Sequence, residues 1–201
     1  TDGHTETIND ADGFVANFWR AISQDAKSVA KHADWPVNEA DLYARHCWLV
    51  RQSDGLLERL HADPDYFDAK IAGWWCWGLC SWIGARWCHS TNDLLPHLGN
   101  AGRGISRQIP HLSGAGTGIN RKTELSRLDF ILSWFEKLQT RLRNVRVTCG
   151  DWSRVLNESV TTRHGLTGVF LDPPYTKGNM DYAVGGVGGT LADVVRAWCV
   201  E

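Results

Sequence analysis

Apolar residues recur at every fourth position in "ADGFVANFWRAISQDAKSVAKHA", residues 11–33, where Phe14, Phe18 and Ile22 share one side. That spacing predicts an amphipathic helix. The preceding "TETIND" predicts a short strand that ends in an acid. Pro36 interrupts the chain, and Asn38 is placed to cap a helix running to about Leu60. A third helix is predicted over roughly 66–88, with Phe67, Ile71, Trp74, Trp75, Leu79, Trp82 and Ile83 on one face. Residues 99–118 hold six glycines and a proline with no regular period, the pattern of a loop. A long amphipathic helix follows at about 123–142, its apolar side formed by Leu125, Leu128, Ile131, Leu132, Phe135 and Leu138. "NVRVTC" predicts a strand, "GDWSRVLNES" a turn and short helix, "GVFLD" another strand, and "GGTLADVVRAWCVE" a last helix. No internal repeat is present. Strands separated by helices predict a parallel α/β sheet.

Composition narrows the function more than the fold. A chain of 201 residues suits one domain, and 43% hydrophobic with 22% charged residues is an ordinary globular balance. The formal net charge is -2, so a nucleic-acid surface would need local clustering of basic residues. Cys47, Cys76, Cys80, Cys88, Cys149 and Cys199 form no C-x-x-C pair, and no His pair at ligand spacing accompanies them. No metal site is therefore expected. The start lacks a basic segment followed by an apolar one, which points to reduced thiols in a cytoplasm. The uncharged run "IAGWWCWGLCSWIGA" has 15 residues, fewer than a bilayer needs, so a buried helix is expected and no membrane span. Eleven tryptophans are unusual. The crowded ones, Trp74, Trp75, Trp77, Trp82 and Trp87, fit a core helix better than a base-stacking platform.

Three predicted strands end in an acid: Asp10, Asp151 and Asp172. An acid there often only caps the next helix. Three in one small α/β domain suggest a shared polar ligand, because such sheets bind ligands beyond the carboxyl ends of their strands. The last acid opens "DPPY". Two prolines stiffen the corner and hold Asp172 extended. The corner offers a carboxylate, carbonyls and the face of Tyr175. Asp172 and the Pro173 carbonyl suit the two hydrogens of an exocyclic amine, and Tyr175 suits a planar base. Methyl transfer to such an amine needs positioning and electrostatics rather than a metal or strong base. The plain alternative is that Pro173 and Pro174 simply end the strand.

The chain resembles the DNA adenine-N6 methyltransferases of the D12, or Dam-like, class. "LDPPY" is similar to the family's catalytic motif, "INDADGFVANFW" to the stretch after its second strand, and "VTCGDW" to its cofactor-adenine segment, in the family's order. The resemblance implies an incomplete Rossmann-like fold, dependent on S-adenosylmethionine. It divides the chain into a cofactor-side part over 1–65, a helical and loop target-recognition insert over 66–122, and a catalytic part over 123–201. It assigns Asp172, Pro173, Pro174 and Tyr175 to catalysis. Asp10 would hold the cofactor's ribose, Asp151 its adenine amino group and Trp152 its ring, with Asp172 also beside the cofactor. The family's Gly-rich F-x-G-x-G loop has no counterpart before "TETIND", and "GINRKT" lacks the Gly-Lys step of a phosphate loop. The resemblance thus implies a fragment cut at both ends, with weak cofactor binding at most.

Residues 86–127 hold six basic side chains against two acidic ones. Arg103, Arg107, Arg121 and Lys122 there, with Lys177 after the DPPY corner, are the candidates for phosphate contact. Each could equally belong to a solvated loop. The partner implied is double-stranded DNA with its target adenine flipped out, bound by a monomer. An RNA guanine-N2 methyltransferase can carry a similar "FLDPP" corner, though "NDADG...NFW" and the long helical insert argue against it. A non-catalytic nucleic-acid-binding remnant is the alternative from another class.

Overall fold

A computed structural model describes residues 4–82, 87–88, 126–172 and 189–200. Along the chain run β1 (Glu6–Asp10), α1 (Gly13–Ala33), α2 (Glu39–Ser53), α3 (Leu56–Ala62), α4 (Ala69–Leu79), α5 (Arg127–Leu142), β2 (Val145–Cys149) and α6 (Gly189–Val200). Short 3-10 turns span Trp152–Val155 and Thr162–His164. β1 and β2 pair in parallel, with Glu6 opposite Val145 and Asp10 opposite Cys149. The described residues are thus mixed helix with a small parallel sheet, an α/β arrangement in the coarse sense.

α1 is the central element and packs on α3, α4, α5 and β2. Phe14, Phe18 and Ile22 are buried as their spacing predicts, and Ala26, Val29 and Ala30 continue the stripe. Ile131 and Phe135 of α5 meet it, while Ile8 and Val145 bring the sheet onto the same core. Fully burying one such side chain contributes roughly 1.5–3 kcal/mol. The helix starts are sequence-encoded: the Asp12 carboxylate accepts from Phe14 N at 2.8 Å, Asn38 from Ala40 N at 2.9 Å, and Asp68 from Ile71 N at 2.8 Å. Inside α1, Asp25 leaves helical geometry (φ -147°, ψ 72°). Its carboxylate accepts from Ser28 N at 2.9 Å and from the Ser28 hydroxyl at 2.6 Å, so it recaps the second half of the helix.

Four expectations need correction. The helix expected from Asn38 to about Leu60 is two helices. Gly55 stands between them in the left-handed region, φ 73°, which glycine adopts without a Cβ penalty. The helix expected over 66–88 is the shorter α4, and the chain then turns to bring the Trp87 ring against Gly78. The buried face of α4 is Ile71, Ala72, Gly73, Trp77 and Gly78, while Leu79 is 51% exposed. The small residues decide this face, because they admit α1 and the Trp87 ring closer than any branched side chain could. On α5, Ile131, Phe135 and Leu142 are buried, whereas Leu128 is 38% exposed; Leu125 lies outside the described residues. Finally, "GVFLD" is not a strand. Residues 167–172 are irregular and Phe170 is 89% exposed. A strand exists only through a hydrogen-bonded neighbour, and among the described residues this segment has none.

Among the described residues no helix is long and apolar enough to cross a membrane, and no group of three or more His, Cys, Asp or Glu side chains is gathered to hold a metal ion. The Gly-rich segment 99–118 lies outside them.

Candidate functional site

The parallel register brings two segments about 140 residues apart to one sheet end. Asp10 closes β1 and Cys149 closes β2, so Asp10 and the turn Gly150–Asp151 emerge side by side. Backbone and side chains fasten the two strands there. Gly150 N donates to Asp10 O at 2.9 Å, and Asn9 Nδ2 donates to Gly150 O at 2.9 Å. The Thr148 hydroxyl donates to Ile8 O at 2.9 Å and lies equally close to Asn9 Oδ1. Gly150 has φ 140°, a left-handed conformation that a side chain would strain. Arg154 Nη1 donates to Cys149 O at 2.9 Å and occupies the space where a Cβ on Gly150 would go.

Both acids are exposed, and both use one oxygen on the local turn. Asp10 Oδ1 accepts from Asp12 N at 2.9 Å. Asp151 Oδ1 accepts from Ser153 N at 2.9 Å and from the Ser153 hydroxyl. The Ser153 hydroxyl and amide hold the Asp151 carboxyl below the usual carboxylate range. In each acid Oδ2 makes no hydrogen bond among the described residues, which leaves an acceptor for a ligand. Burial pushes the Cys149 thiol up, and the nearby Asp10 and Asp12 charges push it further, so Cys149 stays a neutral thiol beneath the two acids. Trp152 is half-buried and meets Trp198 of α6 edge to face, ring centres 6.3 Å apart at 84°.

Beside Asp10 a cleft of about 320 Å³ runs along β1. Its walls include Ile8, Val15, Trp19, Leu138 and Leu142, with Glu6, Asn9, Asp10, Arg141 and Thr148 as polar members. The site can hold hydroxyl or amino donors on the carboxylates and an apolar body beside them.

Of the sequence-predicted residues, the structure brings Asp10, Asp151 and Trp152 to one end of the sheet. Asp172 is exposed, outside any strand, and makes no hydrogen bond to them among the described residues. Pro173, Pro174, Tyr175, Lys177, Arg103, Arg107, Arg121 and Lys122 lie outside the described residues. Asn9, Thr148, Gly150 and Arg154 were not anticipated. The signal for them was the strand-end pairs "ND" and "CGD", where residues next to an exposed acid hold its backbone. No protein-family profile matches the chain, and neither a curated protein nor a solved structure is significantly similar to it.

Proposed function

We propose that the chain is part of a Rossmann-like methyltransferase that transfers a methyl group from S-adenosylmethionine to N6 of adenine in DNA. The observation that carries this reading is the parallel register of β1 and β2, which sets Asp10 next to the Gly150–Asp151 turn. The residues fit the cofactor by the chemistry of their donor set. Carboxylate oxygens only accept, and those of Asp10 and Asp151 without a partner among the described residues suit the hydroxyls of a ribose and the amino group of an adenine. Trp152, steadied by Trp198, offers its remaining ring surface to the purine. When bound, S-adenosylmethionine supplies an electrophilic methyl group. Asp172 and the Pro173 carbonyl hold the two N6 hydrogens, which turns the nitrogen lone pair out of the ring's conjugation. Pro174 keeps the corner rigid, and Tyr175 stacks on the flipped base. Arg103, Arg107, Arg121, Lys122 and Lys177 neutralise phosphates.

One observation favours a second reading, a nucleic-acid-binding remnant without catalysis: "GVFLD" stands outside the sheet, with Phe170 in solvent. Tritiated-methyl incorporation into duplex DNA separates the two. The proposal expects label at adenine N6 and a loss of at least about a hundredfold in Asp172→Ala, equivalent to roughly 2.7 kcal/mol. Because Asp172 is exposed, the variant should unfold at the wild-type temperature. Full activity in Asp172→Ala would remove the residue from the reaction. DNA binding without incorporation, indifferent to S-adenosylmethionine, would favour the remnant.

A further inference from the structure

The tryptophans that this reaction leaves unused gather around two cations. Arg45 of α2 is 6% exposed. Its guanidinium carbon lies 4.4 Å from the centre of the Trp35 ring, 4.5 Å from Trp77 and 5.0 Å from Trp74. Lys70, in the first turn of α4, sets Nζ 4.4 Å from both Trp48 and Trp74. Trp74 therefore faces both cations. Indole faces offset part of the cost of desolvating a cation, but they do not meet the in-plane N–H groups. Among the described residues, Arg45 Nη1 and Trp74 Nε1 are both buried and have no hydrogen-bond partner. Other indoles of the same layer are satisfied: Trp77 Nε1 donates to Trp35 O at 2.9 Å, and Trp87 Nε1 to Trp75 O at 3.0 Å.

The neighbouring acids do not answer these donors. Asp68 caps Ile71 N, and Asp34 pairs with Arg127 Nε at 2.6 Å. Asp41, one turn before Arg45, favours the cation through its charge but makes no hydrogen bond to it among the described residues. Lys31 adds charge from the last turn of α1. Trp35 is 40% exposed and Lys70 half-buried, so the cluster reaches the surface through these two side chains.

We propose that this cluster is a second site, one that binds a phosphate group. Arg45 Nη1, Trp74 Nε1 and the Lys70 ammonium would donate to its oxygens, and the indoles would wall it. A tetrahedral oxyanion suits donors that arrive from two helices and carry two positive charges. The phosphate would be free or part of a nucleic-acid backbone, the chemistry being shared.

The test is titration of the chain with inorganic phosphate at constant ionic strength, read by tryptophan fluorescence and by thermal unfolding. The expected result is a saturable fluorescence change with a rise in unfolding temperature. Lys70→Gln should weaken binding by about tenfold, the scale of one charge-assisted hydrogen bond. Arg45→Met should abolish it. If Arg45→Met does not fold, the half-buried Lys70 variant decides alone. A short single-stranded oligothymidylate that competes with phosphate identifies the backbone as the source; phosphate binding without competition identifies the free anion. No saturable response to phosphate, or an equal response in Lys70→Gln, would overturn the site and leave a purely structural cation–π cluster.

Discussion

At the scale of single residues, the strand ends divide their polar atoms between holding the backbone and facing solvent. Asp10 shows the division within one side chain, since Oδ1 accepts from Asp12 N and Oδ2 has no partner among the described residues. Asp10→Asn keeps the first function and turns the second oxygen into an amide donor. The variant should unfold within a degree or two of wild type, by calorimetry, while its binding of S-adenosylmethionine falls about tenfold. An unchanged affinity would take Asp10 out of the ligand site. Asp25 gives a pH-dependent case. Its carboxyl is held below the ordinary value chiefly by the Ser28 hydroxyl and then by the Ser28 amide. A carboxyl with a depressed folded-state value contributes stability that is complete above the unfolded-chain value, about 3.9, and is lost as pH falls through the folded one. Asp25→Ala should therefore cost about 1 kcal/mol in urea unfolding near neutral pH, the usual scale of a helix cap. The gap to wild type should narrow as pH falls below the unfolded-chain value.

Among elements, the contact of α1 with α4 depends on glycine more than on the aromatic residues around it. A Cβ on Gly73 would stand 2.6 Å from Val29 O and 2.5 Å from His32 Cβ, and a backbone carbonyl inside α1 cannot move aside cheaply. Gly73→Ala should lower stability by about 1–3 kcal/mol in urea unfolding, despite the better helix propensity of alanine. A stabilised variant would mean that the helices stand further apart. The same contact shows what can be read from the chain beforehand. The period of α1 and the capping residue Asn38 are local properties, and they were legible; the caps at Asp12 and Asp68 are equally local and were not read. So were β1, β2 and the acids that end them. The buried face of α4 was not, because counting apolar residues favours the tryptophans, whereas the close approach is set by Gly73 and Gly78. Nor was the break at Gly55, where one left-handed residue overrides good helix formers on both sides. "GVFLD" was expected to be a strand because its residue types suit one, but pairing is a property of the neighbour as much as of the segment. In the site, Asn9, Thr148 and Arg154 matter through the register, which the sequence does not display.

For the molecule as a whole, one helical core supports a small parallel sheet whose carboxyl end carries the exposed acids. The proposed phosphate cluster lies on α2 and α4, which pack against each other. The central claim is that the sheet end, with Asp10, Asp151 and Trp152 together, holds the adenosine part of a nucleotide-like cofactor. Two-dimensional amide NMR of the chain, titrated with S-adenosylhomocysteine, tests it most directly, because chemical shifts report even weak binding residue by residue. The account predicts saturable shifts at Asp10, Asp12, Gly150, Asp151 and the Trp152 indole N–H, all reduced in Asp10→Asn. Shifts absent from these residues at saturating ligand, or confined to the tryptophan cluster around Arg45, would contradict it.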